Sequence, residues 1–191
     1  MAQTAVAPVT APGRPNRLAR SLAQLDQVPA FARGWARNLV LRRAVPFTGT
    51  AKLRFELMSP ERVEIAVANE RRVQNHIGGV HAAAMTLLAE TATGMVVGMN
   101  VRDDCLPLAK ELKVAFRRRA QGSLRAVATL TDAQRLHMQQ ADKGEVTVPV
   151  QVFDESGAEP VECAFVWAWV PSGKNTRPAG AADAATARPG A

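Results

Sequence analysis

From His81 to Met99 the chain is almost wholly small or apolar, and Glu90 is the only carboxylate in the run. A helix that is apolar all round must be buried on every side, inside a protein or in a membrane. A membrane span is disfavoured, because Glu90 sits near the middle, where an ionisable group is costly, and Gly94 and Gly98 loosen the run. The segment is therefore expected as the central helix of a globular domain. A flat sheet touches one face of such a helix, so the sheet must curl round it or a partner must cover the rest.

The surrounding chain supplies that sheet. Residues 52–57 and 63–67 alternate polar and apolar side chains around the Ser59-Pro60 turn, predicting two antiparallel strands before the helix. After it come strands over 112–116 and 123–131, joined at Gln121-Gly122. Two more follow over 145–153 and 161–170, joined by Asp154-Glu155-Ser156-Gly157. Pro149 cannot donate to a ladder, which argues for an edge or a bulge in the fifth strand. The expected class is α+β, one domain over residues 46–170.

Residues 16–45 predict two helices in front of it. Leu18, Leu22 and Leu25 share a face of the first, and Pro29 breaks it. In the second, Phe31, Trp35 and Leu39 follow at i, i+4 and i+8, a stripe expected to pack on the domain with the arginines solvated; membrane-surface binding is the alternative. Residues 1–15 and 171–191, rich in Ala, Pro and Gly, read as a disordered arm and tail.

The formal charge of +7 lies almost wholly in the first 50 residues, which carry seven arginines and only Asp26. A nucleic-acid binder would need more than this charge, and no repeated aromatic stacking pattern accompanies it. The N-terminal stretch has no apolar h-region and so does not read as a secretory signal. Its Arg-rich, acid-poor composition is also that of transit peptides, but a cytoplasmic location is the expectation. Cys105 and Cys163 are too few for a disulfide framework and lack metal-ligand spacing, which fits a reducing compartment; no cofactor is implied.

The chemistry points to the helix entry, Asn75-His76-Ile77-Gly78-Gly79-Val80-His81. Paired glycines permit a tight turn and close approach of a ligand. Free amides near Ala82 and Ala83, with the helix dipole, favour an anion or a developing oxyanion. Glu90 is eight residues on, about 12 Å along the axis at the rise of an α-helix, whereas an oxyanion donor and a base must each lie about 3 Å from one reacting group. Two antiparallel copies of the helix about a twofold axis would join the amide end of one to Glu90 of the other, and would cover the remaining apolar side. Burial and chemistry both ask for a homodimer.

From Arg37, through Pro46-Phe47-Thr48-Gly49, to Val170, the chain resembles the hotdog-fold acyl-CoA thioesterases of the phenylacetyl-CoA type. It is most similar to the tetrameric acyl-CoA thioesterase-like branch, with NHxGxxHAAA in place of NxxGxxHGG. Asn75, Gly78, His81 and Glu90 match in identity and spacing. The resemblance implies a curled antiparallel sheet wrapped around one long helix, and hydrolysis of an acyl-CoA thioester to coenzyme A and a carboxylic acid at a site shared by two subunits. It implies Ala82 N–H as oxyanion donor, Glu90 as base or nucleophile, Asn75 positioning the carboxylate or water, and His81 holding the loop and polarising the site. Gly78, Gly79, Ala83 and Thr86 would border the substrate, and Arg117, Arg118 and Arg119 would meet coenzyme A phosphates. Ala82 and Ala83 depart from the commoner Gly-Gly, and Glu90 from the commoner Asp. The acyl pocket is expected among Met85, Met95, Met99 and the facing strands.

Structural alternatives stand beside these roles. Thr86 or Thr93, one turn away, could satisfy Glu90; His81 could be a helix-entry residue, Asn75 a turn residue, and the arginine run solvated. His76 and His137 read as structural. On the same fold, a non-catalytic acyl-CoA or fatty-acyl binding protein is the alternative function. The self-association expected is a dimer or a dimer of dimers.

Overall fold

A computed structural model describes residues 15–25 and 27–173. The expectations for the arm before residue 15 and the tail from 174 lie outside the described residues. The order is α1 (Arg17–Leu25), α2 (Ala30–Ala44), α3 (Pro46–Thr50), β1 (Arg54–Met58), β2 (Arg62–Val67), α4 (Ala82–Gly98), β3 (Cys105–Phe116), β4 (Leu124–Thr129), α5 (Asp132–Gln140), β5 (Gly144–Val148), β6 (Val150–Asp154) and β7 (Val161–Pro171). One antiparallel sheet runs β1-β2-β4-β6-β7-β3, with β5 also on β7. It curls round α4, the hotdog arrangement that the resemblance implied.

Alternation decides which side chains meet the helix. Val63, Ile65 and Val67 of β2, Leu124 and Ala126 of β4, and Phe165, Trp167 and Trp169 of β7 are buried together with Leu88, Ala89, Ala92, Val96 and Val97 of α4. Trp167 lies so close to the helix that a Cβ on Gly94 would stand 2.7 Å from its ring, and its Nε1–H donates to Thr93 Oγ1 at 3.0 Å. Only glycine at position 94 allows this approach. At the far end of α4, Asn16 donates to the carbonyls of Gly98 and Val101, each at 2.7 Å, and its Oδ1 accepts from Ala19 N–H. The start of α1 is thereby tied to the end of α4, and Ala19 and Leu22 are buried.

Four differences from expectation have local causes. The fifth strand is two strands: Pro149 interrupts the ladder while Val148↔Phe165 and Gln151↔Glu162 keep a common register on β7. Pro149 still accepts from Thr129 N–H, and β5 pairs with β7 alone. Helix α5 was not expected, since its polar composition hides any apolar period. Its signal was the Thr131/Gln134 capping box, and Gln134 Nε2 also donates to Thr147 O of β5. Strand β3 begins seven residues earlier than 112, because a bulge between Ala109 and Glu111 breaks the alternation that sequence reading relies on. Finally, Phe31, Trp35 and Leu39 do not pack on the domain. Phe31 is 91% and Trp35 70% exposed, and α2 buries Leu41 instead.

Candidate active site

The segment that enters α4 is held by its own hydrogen bonds. Asn75 Oδ1 accepts from Ile77 N–H and Gly79 N–H, both at 3.1 Å, and Asn75 N–H donates to Gly79 O at 2.8 Å. Gly78 adopts φ +77°, the left-handed region that a side chain resists. The loop is clamped from outside by Asn69 Nδ2 on Gly78 O (3.2 Å) and Arg119 Nη2 on Ile77 O (3.0 Å), while Gln74 Nε2 orients Asn69. Asn69 and Gln74 were missed by sequence reasoning, because no spacing rule marks a residue that grips a turn from outside. Asn75 acts as the turn residue through its oxygen, while its Nδ2–H groups donate to nothing among the described residues. His76 is exposed, and His137 sets its ring edge-on to Trp169 at 5.3 Å.

His81 caps the helix. Its backbone N–H donates to Val73 O at 2.7 Å, its carbonyl accepts from Ala84 and Met85, and its Nδ1 accepts from Ala83 N–H at 3.0 Å. With Nδ1 accepting, the neutral ring carries its proton on Nε2. The first turn of a helix leaves orphan donors, and here three are taken. Ala82 N–H alone bonds to nothing among the described residues, at an exposed position. The expectation of free amides at both Ala82 and Ala83 is thus narrowed to Ala82.

Glu90 is half-buried on the same helix. Burial pushes its carboxyl above the ordinary value, opposed by a 3.4 Å hydrogen bond from Thr91 Oγ1. No cation pairs with it among the described residues. Thr86 Oγ1 donates to Ala82 O, and Thr93 Oγ1 to Ala89 O and Glu90 O. Neither reaches the Glu90 carboxylate, so the purely structural account of Glu90 fails in the form the sequence suggested. Because Ala82–Gly98 is helical throughout, the roughly 12 Å along the axis between Ala82 and Glu90 stands.

The least covered side of α4 is Glu90's own. Ala83 is exposed, and Thr86, Leu87, Glu90 and Gly94, at helical spacing, are only partly covered. The sheet has a matching gap. On β3, Leu112 and Phe116 pair with Phe165 and Val161 of β7 and so share their helix-facing side, yet they are 43% and 52% exposed. β3 is also the end of the sheet order, its twelve-residue outer edge unpaired among the described residues. Met85 and Met99 are buried in the core and Met95 packs against it. A cavity of about 450 Å³ lies at the other end of α4, beside Asn16, Arg20, Val101 and Asp103.

The three consecutive arginines diverge. Arg117 pairs with Glu162 at 2.6 Å, and Arg118 with the fully buried carboxylate of Asp154 at 2.6 Å and with Ser156 Oγ. Burial alone would raise Asp154, but hydrogen bonds from Ser156, Gln121 N–H and Arg118 outweigh it and hold the carboxyl well below its ordinary range. Arg119 has no carboxylate partner among the described residues and grips the loop at Ile77. Of the three arginines expected to meet coenzyme A phosphates, Arg117 and Arg118 have their charges paired with Glu162 and Asp154.

A family model described as a domain of unknown function (DUF4442) matches residues 34–170. The chain belongs to this family. Among solved structures, a Pseudomonas aeruginosa protein of unknown function described as a probable thioesterase is 26% identical, with a TM-score of 0.62 over 68% of this chain and 90% of its own. A variant of a second thioesterase from that organism is 17% identical, with a TM-score of 0.60 over 76% and 96%. A Haemophilus influenzae thioesterase is 11% identical, with a TM-score of 0.55 over 66% and 83%. No curated protein matches. The last two likenesses concern the fold, which this chain shares with the hotdog thioesterases. No helix of the described residues is long and apolar enough to cross a membrane.

Proposed function

We propose that the protein hydrolyses acyl-CoA thioesters at a site shared between two subunits. The observation that carries the reading is the division of the α4 helix. Its one free first-turn amide and its one carboxylate are too far apart to act on the same group, and the helix is least covered on the carboxylate side. A twofold partner that covers Glu90, Leu112 and Phe116 brings its own Ala82 N–H beside Glu90. The solved relatives named as thioesterases support the reaction class.

In this reading Ala82 N–H of one subunit holds the thioester carbonyl oxygen, and Glu90 of the other takes a proton from water. The water oxygen bonds to the carbonyl carbon, the C–S bond breaks, and the coenzyme A sulfur leaves to be protonated. Burial suits Glu90 to the task by making it a stronger base than an exposed carboxylate. His81 fixes the first turn, Asn75 and Gly78 the approach to it, and Gly79, Ala83 and Thr86 border the thioester. Arg119, without a carboxylate partner among the described residues, is the member of its run open to a phosphate.

The test is release of free thiol from a panel of acyl-CoAs by the native protein, Glu90→Gln and Ala82→Pro. Proline removes the amide hydrogen at the first helical position, where its ring is tolerated, and His81 already has the extended backbone (φ −67°, ψ 144°) that proline demands of its predecessor. Both variants should fold and both should lose turnover. Full activity in either overturns the assignment, and saturable acyl-CoA binding without acid product by the native protein would replace it with a binding function.

A further inference from the structure

Helix α2 turns the stripe of Phe31, Trp35 and Leu39 outward. Phe31 and Trp35 are almost bare, Leu39 and Val40 continue the surface, and Val45 and Phe47 extend it past the end of the helix. Large apolar side chains gathered in one exposed patch mark an interaction surface. Arg42 and Arg43 stand beside it, Arg33 and Arg37 lie on the side of the helix turned to the domain, and among the described residues none of the four forms an ion pair. Arg33, Arg37 and Arg42 spend some of their N–H groups on the backbone carbonyls of Val28, Glu56, Leu53 and Lys52, which fixes them without neutralising them. A cavity of about 460 Å³ opens beside the helix, bordered by Trp35, Leu39, Arg42, Arg43 and Arg54; the nearest acid on β1, Glu56, is paired with Arg54.

We propose that this face of α2 docks on an anionic lipid surface, with Phe31, Trp35 and Phe47 entering the headgroup boundary and Arg42 and Arg43 meeting lipid phosphates. Unneutralised arginines around exposed aromatic side chains are what such a surface recognises, and Trp is suited to the boundary because its ring is apolar and its N–H is not. A second copy of this chain fits less well. A twofold contact would set the patch against itself and oppose the unpaired Arg42 and Arg43 of one copy to those of the other. A nucleic-acid backbone would answer the charge but leave Phe31, Leu39, Val40 and Phe47 in water. The inference stands apart from the proposed reaction, since binding is read without substrate.

The test is co-sedimentation of the full chain with vesicles of phosphatidylserine and phosphatidylcholine in equal parts, and of phosphatidylcholine alone, together with Trp emission. Native protein is expected to partition to the anionic vesicles with a blue-shifted emission and to be released by salt. Partition to neutral vesicles should be weaker by roughly tenfold or more. Arg43→Glu, and the pair Phe31→Ala with Trp35→Ala, change exposed positions and should each lower partition by roughly tenfold or more, with unchanged thermal melts. Absence of partition, or partition equal in the variants, overturns the proposal. So does a variant that changes subunit number without affecting vesicles, which would assign the face to a second copy, and so does retention by a single-stranded oligonucleotide in place of vesicles.

Discussion

Adding one methyl group to α4 should separate two effects that usually travel together. Alanine is the better helix former by about 1 kcal/mol, so Gly94→Ala taken by itself stabilises. The new Cβ, however, would lie 2.7 and 2.8 Å from two ring carbons of Trp167, well inside ordinary contact. That ring is buried, belongs to a strand paired on both sides, and is tied to Thr93 by its Nε1–H. Retreat would cost about 1 kcal/mol of hydrogen bond, and overpacking a further 1–3 kcal/mol. The clash wins, leaving a net loss of about 2 kcal/mol, or about 4–8 °C in Tm for a chain of this size. Gly34→Ala in α2 is the control, because nothing lies within 4 Å of its added Cβ. It should gain roughly 0.5–1 kcal/mol. Both are read from the midpoint of urea unfolding. If Gly94→Ala were as stable as the native protein, Trp167 could not lie against α4, and the placement of Glu90 one turn before it would fall too.

Three further outcomes are expected. Glu90→Gln should be more stable than the native protein near neutral pH. Glu90's carboxyl is raised in the fold, so the stability it lends is full below its unfolded value of 4.5 and is lost as pH rises through the folded value; the margin should therefore close on acidification, and a margin that grows instead refutes it. Asp154 has the opposite sign. Its depressed carboxyl lends stability above 3.8 that is lost as pH falls through the folded value, so Asp154→Asn should be destabilised at neutral pH and show a shallower acid limb in unfolding curves taken across pH. Leu112→Glu, on the helix-facing side of β3, should yield a folded monomer by light scattering and abolish thiol release; an active monomer contradicts the shared site.

The central helix was legible because nothing else explains nineteen residues with one carboxylate, and the alternating strands because each presents one face to that helix. The places of His81 at the helix entry and of Glu90 within the helix were legible as well. What stayed hidden is what spacing does not encode. The bulge after Ala109 shifts the phase of β3, and α5 announces itself through a cap rather than a stripe. Ala83 loses its free amide to the His81 ring, a choice of rotamer that no sequence rule fixes. Asp154 pairs with Arg118 from 36 residues away. The stripe of Phe31, Trp35 and Leu39 was visible in sequence, but the side it faces depends on which residue of α2 meets the domain, and that is Leu41.

The most direct measurement mixes two inactive proteins. Subunits carrying Glu90→Gln and subunits carrying Ala82→Pro are unfolded together in equal amounts, refolded and assayed for thiol release from acyl-CoA. In a mixed dimer, the Ala82 amide of the first faces Glu90 of the second, so one of two sites is whole. Random pairing makes half the dimers mixed, and about a quarter of native activity should return. Recovery at that level would establish that the two groups act across the subunit boundary. Mixtures as inactive as their components, in protein shown to have exchanged subunits, would contradict the shared site.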